Sequence, residues 1–384
     1  KARHPQKILW LTDTLADHNG VSSALQSTLQ EIRKHDYPID ILTCHPTLKS
    51  DNHLIVVRPM QQFKIQSLGE QTFNIPDIIQ VQRIFEQGSY DRIICSTELI
   101  MGAITLYLKK AFSVPAYFFM HTDWMEFLQS TMQLNDHESD RIRRLLRAFY
   151  LQFDGIFTLN SDHQTWLTGS EVGIDAQQVF LTQHWVDDAF STEISPVKRG
   201  NLHPVLLYVG RLSEEKGVFD LPEIFAAIKQ QIPDAQLWIA GAGPADKQLR
   251  VVLPEATFLG WVDKSELPVL YSKADLLLLP SRFDTFGCVV LEAMTGGLPV
   301  AAYNCKGPKD IIEDQVCGYL ADDKEQMAQA INHHCQQTPE QKNKRKEMRQ
   351  AAITRSQQFD AKRIMHSLLN YMKMSDFQCK TSSN

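Results

Sequence analysis

No run of eighteen apolar residues occurs in the 384-residue sequence, so no membrane-spanning helix is expected. The excess of one charge sign is small too. The 39 Lys and Arg against 45 Asp and Glu leave a net charge of −6. That balance argues against a general nucleic-acid binder and leaves any membrane contact to a local patch. Seven cysteines, Cys44, Cys95, Cys288, Cys305, Cys317, Cys335 and Cys379, show neither C-x-x-C nor a zinc-binding spacing. An odd count without a disulfide framework fits a reducing compartment, so a cytoplasmic location is expected. The opening KARHPQKILWL runs directly into a strand and lacks the apolar core of a signal peptide. The motifs G-x-x-x-x-G-K-[ST], G-x-S-x-G and H-E-x-x-H are missing, which weighs against NTPase, hydrolase and zinc-protease readings. Gly241-Ala242-Gly243 follows a strand as a dinucleotide fingerprint would, but Asp246 stands where the third glycine belongs.

What is present is enough for substantial cores: 43% hydrophobic and 22% charged residues, over a length that suits two domains. Strand-like runs at 8–11, 39–43, 53–57, 92–95, 116–120, 155–159 and 179–181 alternate with helical periodicity. The helical stretches run from Val21 through Ile32 and over 77–87, 98–112 and 139–153. A polar, aperiodic segment at 190–201 reads as a linker. The pattern then restarts, with strands at 205–209, 236–240, 257–259, from Leu276, and at 299–302, and a helix at 221–231. Helices at 324–336, 339–359 and 360–374 close the chain. The alternation predicts an α/β protein of two doubly wound halves, each a parallel sheet covered on both faces. The expected domains are 1–190 and 191–358, with a terminal helix in 359–384 packing back on the first.

The richest stretch is Leu276 to Gly297, LLLLPSRFDTFGCVVLEAMTGG. It reads as a buried strand, a polar loop and a helix over 286–294 closed by Gly296-Gly297. Loops at the carboxyl ends of parallel strands are where such sheets bind ligands. Asp284 on the loop and Glu292, eight positions on, could hold two parts of one hydroxyl-rich ligand. Arg211 and Lys216, in GRLSEEKG at the end of another strand, suit a diphosphate, one as a planar fork and one as a point charge. Alone they read rather as a solvated loop paired with Glu214 and Glu215; beside two carboxylates at the same edge, the ligand reading is the better one.

His121 ends the apolar strand Ala116–Met120 and is followed by Thr122-Asp123-Trp124, so it stands between a structural and a functional role. Gly20 and Val21 open a helix whose free N–H groups could bind an anion, although Asn19 could equally be a plain helix cap. Arg141, Arg143, Arg144 and Arg147 share a helix with Leu145, Leu146, Phe149 and Tyr150. That helix suits either an anionic membrane surface or a core with a solvated face. Lys342, Lys344, Arg345, Lys346 and Arg349 read as a solvated face. The apolar residues Trp124, Met125, Phe127, Leu128, Met132 and Leu134 read as core packing or as an acceptor-binding flap.

Four motifs together carry a resemblance: TDT…NGV at Thr12 to Val21, HTD at His121 to Asp123, GRLSEEKG at Gly210 to Gly217, and DTFGCVVLEAMTGGLPV at Asp284 to Val300. From Ile8 to about Tyr371 the chain resembles the retaining glycosyltransferases of family 4, with the GT-B fold of two Rossmann-like domains facing each other across a cleft. The wording is nearest that of sulfoquinovosyl-diacylglycerol synthases and bacterial α-mannosyltransferases. The resemblance implies transfer of a hexose from a nucleotide-diphosphate sugar, UDP-linked by preference and GDP-linked as the alternative. The acceptor would be a lipid or glycan at a membrane surface. No metal and no cofactor beyond the sugar nucleotide is implied. Gly20 and Val21 would present N–H groups to the diphosphate, and Arg211 and Lys216 would neutralise it as it leaves. Glu292 would take the ribose hydroxyls, and Val262, within Leu259–Val262, would flank the base. Asp284 with the backbone of Thr285, Phe286 and Gly287 would hold the sugar. His121 would lie at the reaction centre, with Asp123 and Trp124 toward the acceptor.

Two departures stand out. Most relatives have Glu where this chain has Asp284, and Asn-Gly or Arg-Gly where it has His184-Trp185 before Val186-Asp187. Rival readings are a non-catalytic sugar-nucleotide binder, an epimerase or phosphorylase on the same fold, and a lipid-surface protein. Intact Arg211, Lys216, Glu292 and His121 weigh against the first.

Overall fold

A computed structural model describes residues 6–16, 20–64, 72–125, 128, 134–186, 190 and 203–374. The chain divides into two compact units, Lys1–Thr182 with Lys362–Asn384, and Gln183–Ala361. The linker expected at 190–201 lies outside the described residues apart from Phe190, as do Asn19, Phe127, Met132 and Cys379.

The first unit is built on seven parallel strands. These are β1 (Ile8–Thr12), β2 (Ile39–Cys44), β3 (Leu54–Val57), β6 (Arg92–Cys95), β7 (Ala116–Met120), β8 (Gly155–Thr158) and β9 (Val179–Leu181), in spatial order β3-β2-β1-β6-β7-β8-β9. β7, AYFFM, is buried along its whole length, which is why it reads as an unbroken apolar run: helices cover both faces of the sheet. The chain builds outward from β1 on one side and then crosses to β6 on the other. The carboxyl ends of β1 and β6 therefore form a topological switch point. From Lys362 on, helix Ala361–Tyr371 belongs to this unit: the Tyr371 ring stacks on Phe180 at 4.4 Å, and Arg92 donates to the Met372 carbonyl at 2.9 Å.

An antiparallel pair not foreseen from the sequence, β4 (Pro59–Lys64) with β5 (Thr72–Pro76), stands beside this sheet. β4 is exposed along most of its length and shows no apolar alternation, so it left no strand signal. It pairs with β5, and the Phe63 ring stacks on Phe73 at 5.4 Å. The helix expected from Ser139 begins at Asp136, because Asn135 and Glu138 cap each other reciprocally.

The second unit repeats the plan with six parallel strands: β10 (Val205–Val209), β11 (Gln236–Ala240), β12 (Thr257–Gly260), β13 (Leu276–Leu279), β14 (Val300–Tyr303) and β15 (Gly318–Ala321). Their order is β12-β11-β10-β13-β14-β15, so the switch point lies between β10 and β13. The loops after those strands are the ones that carry Arg211 with Lys216 and Asp284. β15 was not foreseen from the sequence.

What joins the two loops is backbone. Gly217 has φ 66°, and a Cβ there would lie 1.8 Å from the Pro280 carbonyl oxygen. No other residue permits that approach, which seats Lys216 over the end of β13. Gly217→Ala is therefore expected to destabilise the protein by about 2 kcal/mol or more. A thermal melt should show a Tm lower by several degrees; an unchanged Tm would contradict the close approach.

Candidate functional site

In the second unit Lys216 Nζ lies 2.7 Å from Asp284 Oδ1, across 68 residues of sequence. The side chains are 30% and 14% exposed, so the pair is largely withdrawn from water. Burial by itself would raise the Asp284 carboxyl, but the Lys216 ammonium, helped by Ser281, holds it below the usual carboxylate range. Burial would likewise lower the Lys216 ammonium, and Asp284 raises it instead. Both groups are thereby kept ionised. Oδ2 of Asp284 is buried and makes no hydrogen bond of ordinary geometry among the described residues. The pair thus holds a buried acceptor oxygen on one side, and an ammonium with only one of its three donors spent on Asp284.

The remaining residues gather round this pair. Helix Cys288–Thr295 starts two residues later than expected, after Gly287 at φ 90°, so Phe286 belongs to the loop. Glu292, one helical turn beyond Cys288, accepts from the buried Tyr271 hydroxyl at 3.0 Å. The Cys288 thiol is pushed up to about 12 by burial, with Glu292 and Asp284 acting the same way and Lys264 and Lys216 opposing. Glu292, Asp284, Lys216 and Lys264 therefore all act on one spot. Lys264 was not singled out from sequence; a lone Lys in WVDKSEL carries no distinguishing signal. Its loop follows β12, as does the half-buried Val262. Arg211 is 63% exposed and reaches Glu215 only at 4.0 Å, a pairing worth little in water.

The first unit has its own polar edge. Helix Gly20–His35 begins at Gly20, where a Cβ would meet nothing within 4 Å, so packing against protein does not demand glycine there. Val21 follows it, half-buried. His121 is buried and stacks on Phe119 with ring centroids 4.5 Å apart. Asp123 accepts from His163 Nε2 at 3.0 Å, while Asn160 Nδ2 lies 3.3 Å from His163 Nδ1. At the end of β6, Glu98 accepts from the Tyr150 hydroxyl at 3.0 Å and from the Trp124 indole. Asp13, past the end of β1, accepts from the Thr97 hydroxyl at 2.7 Å and from Met101 N–H at 3.1 Å. The ends of β1, β6, β7 and β8, four neighbours in the sheet, thus each supply a polar group. Sequence reasoning found His121, Asp123 and Trp124 of this set. Glu98 and His163 gave no motif, and their role shows only in three dimensions.

Residues 18–190 match the family described as Glycosyltransferase Family 4, and residues 192–355 match Glycosyl transferases group 1. Both models are of glycosyltransferases and together they span most of the chain, which is a glycosyltransferase. A GDP-mannose-dependent alpha-mannosyltransferase of Corynebacterium glutamicum is 25% identical to this transferase over 343 residues, 83% of this chain and 77% of that protein. The alpha-monoglucosyldiacylglycerol synthase of Streptococcus pneumoniae is 22% identical over 358 residues, 87% and 79%. The crystal structure of Anabaena HepE in complex with UDP and glucose superposes with a TM-score of 0.72 at 18% identity, over 96% of this chain and 100% of that one. The transferase accordingly has the GT-B fold of two Rossmann-like parallel sheets.

Burial pushes the Glu98 carboxyl up to about 8; the Tyr150 and Trp124 donors oppose that and Asp13 adds to it. A carboxyl raised in the fold binds its proton more tightly there than in the unfolded chain. Its contribution to stability is full below the ordinary carboxylate range and is lost as pH rises through about 8. Melting curves should therefore show the wild-type Tm falling relative to Glu98→Gln between about pH 5 and pH 8. A constant Tm difference across that range would contradict the assignment.

Proposed function

We propose that this transferase moves a hexose from a UDP-sugar to a lipid or glycan acceptor, with retention of anomeric configuration and without a metal ion. The observation that carries the reading is the Lys216–Asp284 pair at the switch point of the second sheet. Breaking a sugar–phosphate bond leaves positive charge on the sugar and negative charge on the diphosphate. The unspent Lys216 donors, with the exposed Arg211 on the same loop, can face the leaving phosphates. Oδ2 of Asp284 can accept from a hydroxyl of the sugar. One fixed ion pair would then serve both sides of the breaking bond, with little reorganisation during the reaction.

Glu292, steadied by Tyr271, is assigned to the ribose hydroxyls, and Val262 to the flank of the base. Thr285, Phe286 and Gly287 would offer backbone groups to the sugar. In the first unit Gly20 and Val21 are assigned to the diphosphate through their N–H groups. His121 is assigned to the reaction centre, with Asp123 and Trp124 toward the acceptor. Retention follows the family's front-side course, in which the donor phosphate helps to deprotonate the acceptor; no enzymic nucleophile is assigned.

The lipid acceptor and a peripheral membrane contact draw support from the Streptococcus pneumoniae relative, whose name is that of a diacylglycerol glucosylating enzyme. They also draw it from the helix Asp136–Tyr150, where Arg141 and Arg144 are exposed beside Leu145 at 70% exposure. Arg143 and Arg147 are engaged internally, with Asp140 and with the Val172 carbonyl, so only part of the basic stretch is available. Among the described residues no helix is long and apolar enough to cross a membrane. A GDP-mannose donor is the second reading, favoured by the Corynebacterium glutamicum relative.

A thermal-shift screen across UDP- and GDP-sugars separates the two donors. A ligand at a hundred times its Kd stabilises the native state by about 2.7 kcal/mol. UDP-sugars are expected to raise Tm and GDP-sugars to leave it in place; the reverse result would select the second reading. Lys216→Ala should lower transfer by roughly a hundredfold or more, and full activity in that variant would overturn the site.

A further inference from the structure

Phe286 lies between Asp284 and Gly287 on the loop that carries the proposed sugar contact, and its ring is buried. Two other rings stand edge-on to it. His184 is at 5.3 Å and 86°, and Phe359 at 6.0 Å and 69°. Both are buried, and both belong to the second unit. Their places in the chain are the notable point. His184 follows by two residues the point where the chain enters this unit, between Thr182 and Gln183. Phe359 precedes by two residues the point where it leaves, after Ala361. The entering and departing segments are therefore anchored on one ring of the donor loop.

The other side of the loop is fixed as well. Gly307, at φ 86°, approaches so closely that a Cβ there would lie 2.4 Å from the Asp284 carbonyl oxygen. Arg355 donates to the Ile311 and Asp310 carbonyls, both at 2.9 Å, and lays its guanidinium over the Phe359 ring at 5.3 Å. The loop is gripped between backbone on one flank and an aromatic wedge on the other. Burial lowers the His184 imidazole to about 4, so it is a neutral ring at physiological pH and packs as one.

We infer that His184 is a positioning residue for the donor: acting through Phe286, and with Phe359 as its counterpart, it holds the Asp284–Gly287 loop in the conformation that receives the sugar. This rests on the proposed sugar-nucleotide reading. It also accounts for one of the two departures in the sequence. A ring at position 184, in place of the Asn-Gly or Arg-Gly of similar proteins, supplies the edge contact to Phe286 that a small or flexible pair lacks.

The test uses the full-length protein with His184→Ala, His184→Leu and His184→Phe. Edge-to-face aromatic pairs of this kind are worth roughly a tenfold change in an equilibrium. His184→Ala and His184→Leu should raise the KM for the nucleotide sugar by about that factor with a smaller change in kcat, and His184→Phe should stay near wild type. Amide exchange at 285–287 in the ligand-free protein should quicken in the first two variants and not in the third. Leu keeps most of the volume, so it reports on the lost ring even if Ala unfolds the protein. A folded His184→Leu with wild-type KM and wild-type exchange would overturn the inference, as would a His184→Phe as impaired as His184→Leu. Failure of the wild type to bind any nucleotide sugar would instead overturn the donor reading, while the ligand-free exchange still decides whether His184 holds the loop.

Discussion

The contact between Lys216 and Asp284 is the constraint on which the second unit's chemistry depends. An ion pair fully in water contributes at most about 1 kcal/mol, and stripping one partner from a fully buried pair costs about 3–5 kcal/mol. At 30% and 14% exposure this pair lies toward the buried end. It can exist only because two loops meet, and they meet because Gly217 lets one backbone touch another at Pro280. That contact in turn needs β10 and β13 side by side, which is what the reversal of strand order supplies. Fold, glycine and charge are successive conditions for one geometry.

The two units solve different problems with one architecture. The second places cations and carboxylates together around Cys288, a mixed field suited to a ligand that is anionic at one end and hydroxylated at the other. The first lines the ends of β1, β6, β7 and β8 with groups that mostly satisfy each other: Asp123 with His163, Glu98 with Tyr150, Asp13 with Thr97 and Met101. Its raised Glu98 is a carboxyl that stays largely protonated near neutral pH, in a setting where a second carboxylate, Asp13, opposes ionisation.

The sequence carried most of this architecture on its surface. Both parallel sheets could be read from the alternation of apolar runs and helical periods, and several strands, such as Ala116–Met120 and Gln236–Ala240, could be bounded to the residue. Buried parallel strands are continuous apolar runs, which is the clearest pattern a sequence can show. Pieces whose form depends on tertiary contact were not legible: the exposed strand Pro59–Lys64, the four-residue Gly318–Ala321, and the start of the helix at Cys288 rather than Phe286. In the site, Arg211, Lys216, Asp284 and Glu292 were visible as charges at strand ends. That Lys216 chooses Asp284, not the adjacent Glu214 or Glu215, depends on a contact 68 residues away and could not be read locally. The His184 ring was noticed only as a departure from its relatives; Phe286, its partner, is what gives it meaning.

The measurement that bears most directly on the account is a double-mutant cycle on kcat/KM for the donor, comparing wild type, Lys216→Ala, Asp284→Ala and the double variant. If the two side chains act as one preorganised unit, the second substitution costs far less once the first is made, with a coupling energy of at least about 1 kcal/mol. Strict additivity of the two losses would contradict it and would make the 2.7 Å contact incidental to the reaction.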